Sequence, residues 1–205
     1  MNIYIDFDHT LYNAINITRD LLQAVSLTIL EKKALNKDEL DAELKGMFNR
    51  EHIYNIYELS RYFGNKYDVD SEKIIKNVNK VIYDGAKNVF DDVLPFLKKL
   101  KENNHKIFML SYYEYELEYQ VAKIVGSKLC DYFDGIIVTK EPKYNLDIDY
   151  TKGIFIDDKP SDLEGLASKN PLRVIRIKRK EGRYSNKVVN NEKIEEYETL
   201  KDIKI

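Results

Sequence analysis

The sequence contains little cysteine, glycine or proline, and it has no long apolar run. With Cys130 as its only cysteine, the chain cannot form an internal disulfide or a zinc site built from several cysteines, which favours a reducing, intracellular setting. Only 8 glycines and 4 prolines, with 43% hydrophobic residues, argue against disorder. No apolar run reaches the roughly 20 residues of a membrane span. We expect a globular chain without a membrane partner.

The charge is nearly balanced, and the first residues do not resemble a leader peptide. A formal net charge of −2 gives no bulk attraction to nucleic acid or to anionic membranes, although local patches remain open. The chain enters a strand-like segment at once, without the basic and then apolar residues of a signal peptide. We therefore expect a cytoplasmic protein, and its oligomeric state is not predicted.

The stretch from Asn2 to Asn13 is the most informative part of the sequence. The run Ile3-Tyr4-Ile5 is typical of a buried strand, and it is followed by two carboxylates, Asp6 and Asp8, and by the hydroxyl of Thr10. Carboxylates just beyond a buried strand lie in the crevice where open α/β sheets bind ligands. Two such neighbours raise each other's pKa unless a cation neutralises them, and Mg²⁺ prefers oxygen ligands of this kind. The alternative is an ordinary polar turn.

Residues 14–87 have helical periodicity throughout. Apolar residues recur at helical spacing in four segments, and Asn36 and Asp70 are typical N-caps for two of them. The third helix, which would include Ile53, is expected to stop at Gly64. The pattern predicts an all-helical domain inserted after the first strand.

From residue 88 onward, short apolar strands alternate with helices. The predicted strands cover residues 106–111, 135–139, 153–157 and 173–178. Such alternation implies a parallel sheet covered by helices on both faces. The sequence therefore predicts an α/β fold, with a Rossmann-like three-layer α/β/α core in residues 1–13 and 88–205 and a helical domain in residues 14–87. The C-terminal tail suggests no further element.

Polar residues follow three of these later strands. They comprise a hydroxyl, two lysines and three carboxylates: Ser111, Lys140, Lys143, Asp157, Asp158 and Asp162. Asp157 and Asp158 repeat the arrangement at the first strand, where an apolar run ends in carboxylates. Asp162 has two interpretations, as a residue that orients the other carboxylates or as a cap of the helix that follows.

These residues resemble the four motifs of the haloacid dehalogenase-like (HAD) hydrolases, in the same order. The sequence Asp-x-Asp-x-Thr-Leu after an N-terminal strand is similar to the first motif, and the helical segment matches a C1-type cap by position alone. The resemblance implies a Mg²⁺-dependent phosphomonoester hydrolase that acts on a small phosphorylated metabolite through an aspartyl phosphate. An aspartate at the second position favours a phosphatase over a dehalogenase, because a carbon–halogen bond needs no leaving-group proton.

The resemblance also implies a role for each residue. Asp6 would be the nucleophile, and Asp8 would act as general acid and then as general base. Lys143, or alternatively Lys140, would steady negative charge. The substrate-binding residues would be Thr10, Ser111 and, with less support, Arg183. The implied metal ligands are Asp6, Asp8, Asp158 and Asp157, where Asp157 would be either a second ligand beside Asp158 or a residue that orients the ligands.

A basic segment, residues 173–187, keeps two alternatives open. It contains seven cationic residues and one acid: Arg173, Arg176, Lys178, Arg179, Lys180, Arg183, Lys187 and Glu181. These cations could bind an anionic substrate or a nucleic-acid backbone, or they could protect an exposed strand edge from pairing. The basic segment leaves a nucleotidase or nucleic-acid end phosphatase as an alternative function, which we favour less. The choice between Lys143 and Lys140 leaves a second alternative, a phosphate- or partner-binding module without turnover, against which the carboxylates Asp6, Asp8 and Asp158 argue.

Aromatic residues and one histidine lie close to these motifs. Four tyrosines follow the second motif, at positions 112, 113, 115 and 119, and they could stack on a base or sugar. The interpretation that we favour places them on amphipathic helix faces. His9, between Asp8 and Thr10, is interpreted as a local packing residue rather than a substrate contact.

Overall fold

The chain folds into two compact units. The structure, a computed structural model, describes residues 1–50, 55–114 and 116–205, without the side chains of residues 49 and 50. One unit consists of Met1–Ile15 and Asn88–Ile205, and the other of Asn16–Lys87. Across the described ranges, none of the helices combines the length and the apolar character needed to cross a bilayer.

The unit Asn16–Lys87 is all-helical. It holds most of α1 (Ala14–Leu30) together with α2 (Lys37–Arg50), α3 (Ile56–Tyr67) and α4 (Ser71–Tyr83). The predicted N-caps are confirmed: Asn36 Oδ1 accepts a hydrogen bond from the Asp38 N–H at 2.9 Å, and Asp70 Oδ1 accepts one from the Glu72 N–H at 3.0 Å. Each cap satisfies a backbone donor that the first helical turn leaves free.

Helix α3 does not stop at Gly64, so that prediction is wrong. The helix continues to Tyr67, and Asp68, with a left-handed φ of 51°, ends it. Close packing explains the glycine, because a Cβ at Gly64 would lie 2.2 Å from Ser71 Oγ. The predicted helical position of Ile53 lies outside the described residues.

The other unit is an α/β domain built on a parallel sheet. Its strands are β1 (Asn2–Ile5), β2 (Lys106–Tyr112), β3 (Gly135–Thr139), β4 (Gly153–Asp157), β5 (Arg173–Ile177) and β6 (Ile194–Tyr197). Among the described residues they form one six-stranded sheet in the order β3-β2-β1-β4-β5-β6, with every pairing parallel. Its helices are α5 (Val93–Glu102), α6 (Leu117–Gly126) and α7 (Pro160–Ala167). The predicted α/β fold with a parallel sheet is confirmed.

The register of the central strands aligns their C-terminal ends. Ile5 of β1 lies between Met109 of β2 and Ile156 of β4. Asp6 follows, and its N–H donates to the Ile156 carbonyl at 2.8 Å. Because parallel strands end at the same edge, this register brings Asp6 beside Asp157, the last residue of β4.

Apolar packing fixes these strands in place. The ring of Tyr4 stacks on Phe108 at 5.1 Å and on Phe155 at 4.8 Å between ring centroids. On the alternate positions of β1, Ile3 and Ile5 are completely buried. Both faces of β1 are thus packed, as expected for a central strand of a parallel sheet.

The edge strand β6 is missing from the sequence prediction. Its residues, Ile-Glu-Glu-Tyr, do not form a continuous apolar run, because an edge strand is only partly buried. The Arg173 guanidinium donates to both carboxylate oxygens of Glu195 at 2.7 Å, and Arg176 Nη1 donates to Glu196 at 2.8 Å. Since β5 pairs with β6, it is not an edge strand. The proposed edge protection by its basic residues is therefore wrong.

Candidate functional site

Three buried carboxylates meet beyond the C-terminal ends of β1 and β4. Asp6, Asp157 and Asp158 each offer an oxygen, and these oxygens lie within 4.8 Å of one another. None of the three residues is more than 7% exposed. Removing this much negative charge from water is costly unless cations accompany it. The site is therefore built to hold positive charge.

Lys143 supplies one of these charges. Its Nζ donates to Asp6 Oδ1 at 2.5 Å and to Asp157 Oδ2 at 2.6 Å, and the side chain is buried. Burial opposes the charged ammonium, but Asp157 and Asp6 outweigh it and raise the pKa of Lys143 above its usual range. Lys140 is exposed. The geometry thus favours Lys143 as the lysine of the site.

One ammonium does not balance three carboxylates. Burial raises the pKa of Asp6 to about 7, although Lys143 opposes the shift. Burial, together with the charges of Asp6 and Asp157, raises the pKa of Asp158 well above its usual range. These two directions indicate that further positive charge would stabilise the site.

Two oxygens of the cluster have no donor. In the part of the chain that the structure describes, Asp6 Oδ2 and Asp158 Oδ2 are buried without a hydrogen-bond partner. Asp157 differs, because its Oδ1 accepts the Lys159 N–H at 2.9 Å and its Oδ2 accepts Lys143. Buried, donor-free carboxylate oxygens suit Mg²⁺. The donor set fits this ion, with Asp6 and Asp158 as the residues that would hold it and Asp157 as their neighbour.

The carboxylate of Asp8 is not one of these three and is held by α6. Lys123 Nζ lies 2.7 and 2.9 Å from its two oxygens, and Gln120 Nε2 donates to Oδ2 at 2.8 Å. Although burial disfavours the charged form, Lys123 and Gln120 outweigh it and lower the pKa of Asp8. The side-chain geometry gives no support to Asp8 as a carboxylate ligand of the metal.

Ser111 is joined to Asp8 through α6. It lies near the end of β2, is buried, and accepts a hydrogen bond from Gln120 Nε2 at 2.8 Å. Gln120 and Lys123 were not identified from the sequence. Polar residues three apart on an amphipathic helix usually face solvent, and the signal that marks these two, their burial and their contacts with Asp8 and Ser111, comes from the fold.

The loop that carries Asp8 turns sharply and is fixed by an arginine. His9 has a left-handed φ of 63°, which is uncommon for a residue other than glycine. Arg179 Nη2 donates to the Thr10 carbonyl at 2.9 Å, and the same guanidinium binds both oxygens of Asp92 at 2.7 and 2.8 Å. Among the residues described, the buried Thr10 Oγ1 has no hydrogen-bond partner.

Of the other predicted residues, Arg183 lies at the surface and Asp162 is buried. Arg183 is exposed, and its Nη1 lies 3.4 Å from Glu114. Asp162 is buried in the first turn of α7, 3.2 Å from Lys159 Nζ. The N-cap of α7 is Lys159, without a side-chain capping bond, and Pro160 is the first helical residue. The interpretation of Asp162 as the helix cap is therefore wrong.

Two of the four tyrosines that follow Ser111 lie under lysines of the site, and one of them, Tyr112, is the last residue of β2, so its predicted position on a helix face is wrong. The Lys159 ammonium lies 4.7 Å from the ring centroid of Tyr112, and that of Lys123 lies 5.0 Å from the ring of Tyr119. Such contacts hold long cationic side chains in place. Tyr115 lies outside the described residues.

Most cations of the basic segment are paired with carboxylates. Five of its side chains form such pairs: Arg173, Arg176, Lys178, Arg179 and Arg183. Their partners are Glu195, Glu196, Asp92 and Glu114. A nucleic-acid backbone would have to compete with these carboxylates, which weakens the nucleic-acid alternative.

An open parallel sheet with carboxylates at its strand ends defines an α/β protein whose candidate site lies in the crevice beyond those ends.

No family model and no curated protein matches the sequence. Several solved structures match its fold. A HAD phosphatase from Thermococcus onnurineus has 20% identity and a TM-score of 0.60, with 98% of this chain and 94% of that chain covered.

Two further structures show the same likeness. A protein assigned to the haloacid dehalogenase-like hydrolases of Burkholderia xenovorans LB400 has 14% identity and a TM-score of 0.68, with 98% and 95% covered. YfnB of Bacillus subtilis, assigned as a HAD hydrolase and bound to magnesium, has 13% identity and a TM-score of 0.58, with 98% and 95% covered. The chain has the HAD-like fold, as its motifs predicted.

Proposed function

We propose that the protein is a Mg²⁺-dependent phosphomonoester hydrolase that acts on a small phosphorylated metabolite through an aspartyl phosphate on Asp6. One observation carries the proposal: the buried cluster of Asp6, Asp157 and Asp158 around Lys143, at the C-terminal edge of the sheet. The likeness to a HAD phosphatase supports it at the level of fold. Because one fold hosts many activities, the residues of the site, rather than the fold, support this activity.

Asp6 is the nucleophile in this proposal. One of its oxygens attacks phosphorus in line, the bond from phosphorus to the leaving oxygen breaks, and a carboxyl–phosphoryl anhydride forms. Lys143, already bonded to Asp6, offsets negative charge that accumulates on the phosphoryl oxygens. When bound, Mg²⁺ supplies further positive charge at these oxygens and lowers the pKa of Asp6, so that the carboxylate is ionised.

Asp8 and Ser111 complete the reaction. Asp8 gives a proton to the leaving oxygen and then takes one from the water that hydrolyses the aspartyl phosphate. The negative charge of bound substrate raises the pKa of Asp8, which allows Asp8 to carry that proton. Ser111 hydrogen-bonds a phosphoryl oxygen, and Thr10 lies in the same loop as Asp8.

The unit Asn16–Lys87 is proposed to be a cap. Its support is its position in the chain, between the first strand and the rest of the α/β unit, together with its all-helical structure. A cap excludes water from a phosphoryl-transfer site, which protects the aspartyl phosphate from uncontrolled hydrolysis. A helical cap favours a small metabolite over a protein as substrate.

Phosphate release from an aryl phosphate, measured with Mg²⁺ and with EDTA, tests the proposal. We expect saturable turnover with Mg²⁺. With EDTA, kcat should fall by at least about 100-fold, since Lys143 then faces the three buried carboxylates without a metal ion beside it. A preference for oligonucleotide phosphates, with activity that falls steeply as the salt concentration rises, would support the nucleic-acid alternative. Absence of turnover on aryl phosphate and on a panel of metabolite phosphates would overturn the enzymatic proposal.

A further inference from the structure

Helix α6 connects the first motif to the second through two buried side chains. Lys123 Nζ contacts both oxygens of Asp8, and Gln120 Nε2 donates to Asp8 Oδ2 and to Ser111 Oγ. Gln120 is 4% exposed and Lys123 5% exposed. These residues belong to none of the four motifs, and the three-carboxylate cluster does not include them.

Lys123 determines where the Asp8 carboxylate points. The ammonium is enclosed by this carboxylate and by two aromatic rings, with its Nζ 5.0 Å from the centroid of Tyr119 and 6.0 Å from that of Phe7. A buried lysine so enclosed has few alternative rotamers, and the Asp8 carboxylate is its counter-ion. Asp8 is less buried than Lys123, with side-chain exposures of 25% and 7%, so its open side can meet a ligand.

Gln120 determines how the Ser111 hydroxyl is used. The amide nitrogen can only donate, so Ser111 Oγ is the acceptor of their hydrogen bond. The hydroxyl hydrogen of Ser111 is then available to a phosphoryl oxygen. The same amide nitrogen donates to Asp8, so that one side chain orients both groups.

We propose that Gln120 and Lys123 are positioning residues for phosphoryl transfer: Lys123 aims Asp8 at the leaving-group oxygen, and Gln120 sets Ser111 as a donor to the phosphoryl group. The inference rests on the proposed function. The two residues have different tasks. Lys123 affects proton transfer to the leaving group, whereas Gln120 also affects the hydrogen bond from Ser111 to the phosphoryl oxygens. The two side chains should therefore respond differently to the choice of substrate.

Leaving-group dependence tests this division in the variants Lys123→Met and Gln120→Met. An aryl leaving group departs without protonation, whereas an alkoxide needs a proton. For Lys123→Met we expect kcat/KM to fall about 10- to 100-fold with an alkyl phosphate and less than about threefold with an aryl phosphate. Gln120→Met should lower kcat/KM for both substrates, because Ser111 then loses its orientation. Lys123→Arg, which keeps the charge, should recover part of the alkyl phosphate activity.

Controls separate this role from a structural one. The exposed Lys128, just after α6, gives the matched variant Lys128→Met, which should behave as wild type with both substrates. Equal losses with alkyl and aryl phosphates in Lys123→Met would overturn the inference while leaving the proposed function intact. A wild-type protein inactive on both substrates would overturn the proposed function, and the inference with it. Thermal melting of each variant establishes that the comparison is made on folded protein.

Discussion

Replacement of the proposed nucleophile, Asp6→Asn, is expected to lower kcat for aryl phosphate by about four to six orders of magnitude. An amide does not attack phosphorus, and no other carboxylate occupies its position at the end of β1. Asp157, the other carboxylate bonded to Lys143, also accepts the Lys159 N–H. Phosphate release, followed continuously with Mg²⁺ at saturating substrate, measures the effect.

The fold should survive this replacement. Because burial raises the pKa of Asp6 to about 7, against an ordinary value of 3.8, the folded protein disfavours the ionised carboxylate at neutral pH. A neutral amide removes that penalty, so the metal-free melting temperature should not fall. The exposed Asp147 provides the control Asp147→Asn, for which we expect wild-type turnover. Activity of Asp6→Asn within about tenfold of wild type would exclude Asp6 as the nucleophile.

Removal of the buried ammonium, Lys143→Met, is expected to affect stability and catalysis together. Without divalent ions the variant should lose about 3–5 kcal/mol of unfolding free energy, because two buried carboxylates lose their cation. With Mg²⁺, kcat should be about 100- to 1,000-fold below wild type, since Lys143 offsets charge in the transition state. Denaturant unfolding and phosphate release measure the two effects.

Magnesium should restore part of the lost stability. Since Asp6, Asp157 and Asp158 remain as oxygen donors in Lys143→Met, Mg²⁺ should raise its unfolding free energy more than that of wild type. Lys140→Met is the matched control in the same loop, and its exposed lysine should be dispensable. If Lys140→Met lost activity while Lys143→Met kept it, the assignment of the lysine would be reversed.

Sequence patterns predict elements whose signal is local. The β-branched strand β1 and the caps Asn36 and Asp70 follow from side chains within a few residues of each other, and all are found in the structure. The end of α3 was mispredicted because Gly64 has a packing role that depends on Ser71 of the next helix. Strand β6 was missed because its carboxylates pair with arginines of β5, a tertiary contact.

The candidate site also combines residues that local sequence patterns predict with residues that only tertiary contacts bring into place. That Asp6, Asp157 and Asp158 converge follows from their places at the ends of parallel strands. The fourth carboxylate predicted with them, Asp8, is bonded to Gln120 and Lys123 instead. The choice between Lys143 and Lys140 depends on how the loop after β3 folds back, which no periodicity encodes. The α6 residues that hold Asp8 depend on which face of that helix is buried. Site residues at strand ends are therefore predictable from the sequence, whereas those contributed by the side of a helix are not.

The most direct test of the proposed mechanism is a rapid-mixing experiment with the variant Asp8→Asn, Mg²⁺ and an aryl phosphate. The nucleophile is intact and the aryl group leaves without a proton, but no base activates water, so the aspartyl phosphate should accumulate. We expect a burst of about one equivalent of aryl alcohol followed by slow turnover, and acid-quenched protein should carry a phosphoryl group on Asp6. Wild-type turnover combined with the absence of both a burst and a phosphorylated Asp6 in this variant would contradict a covalent mechanism.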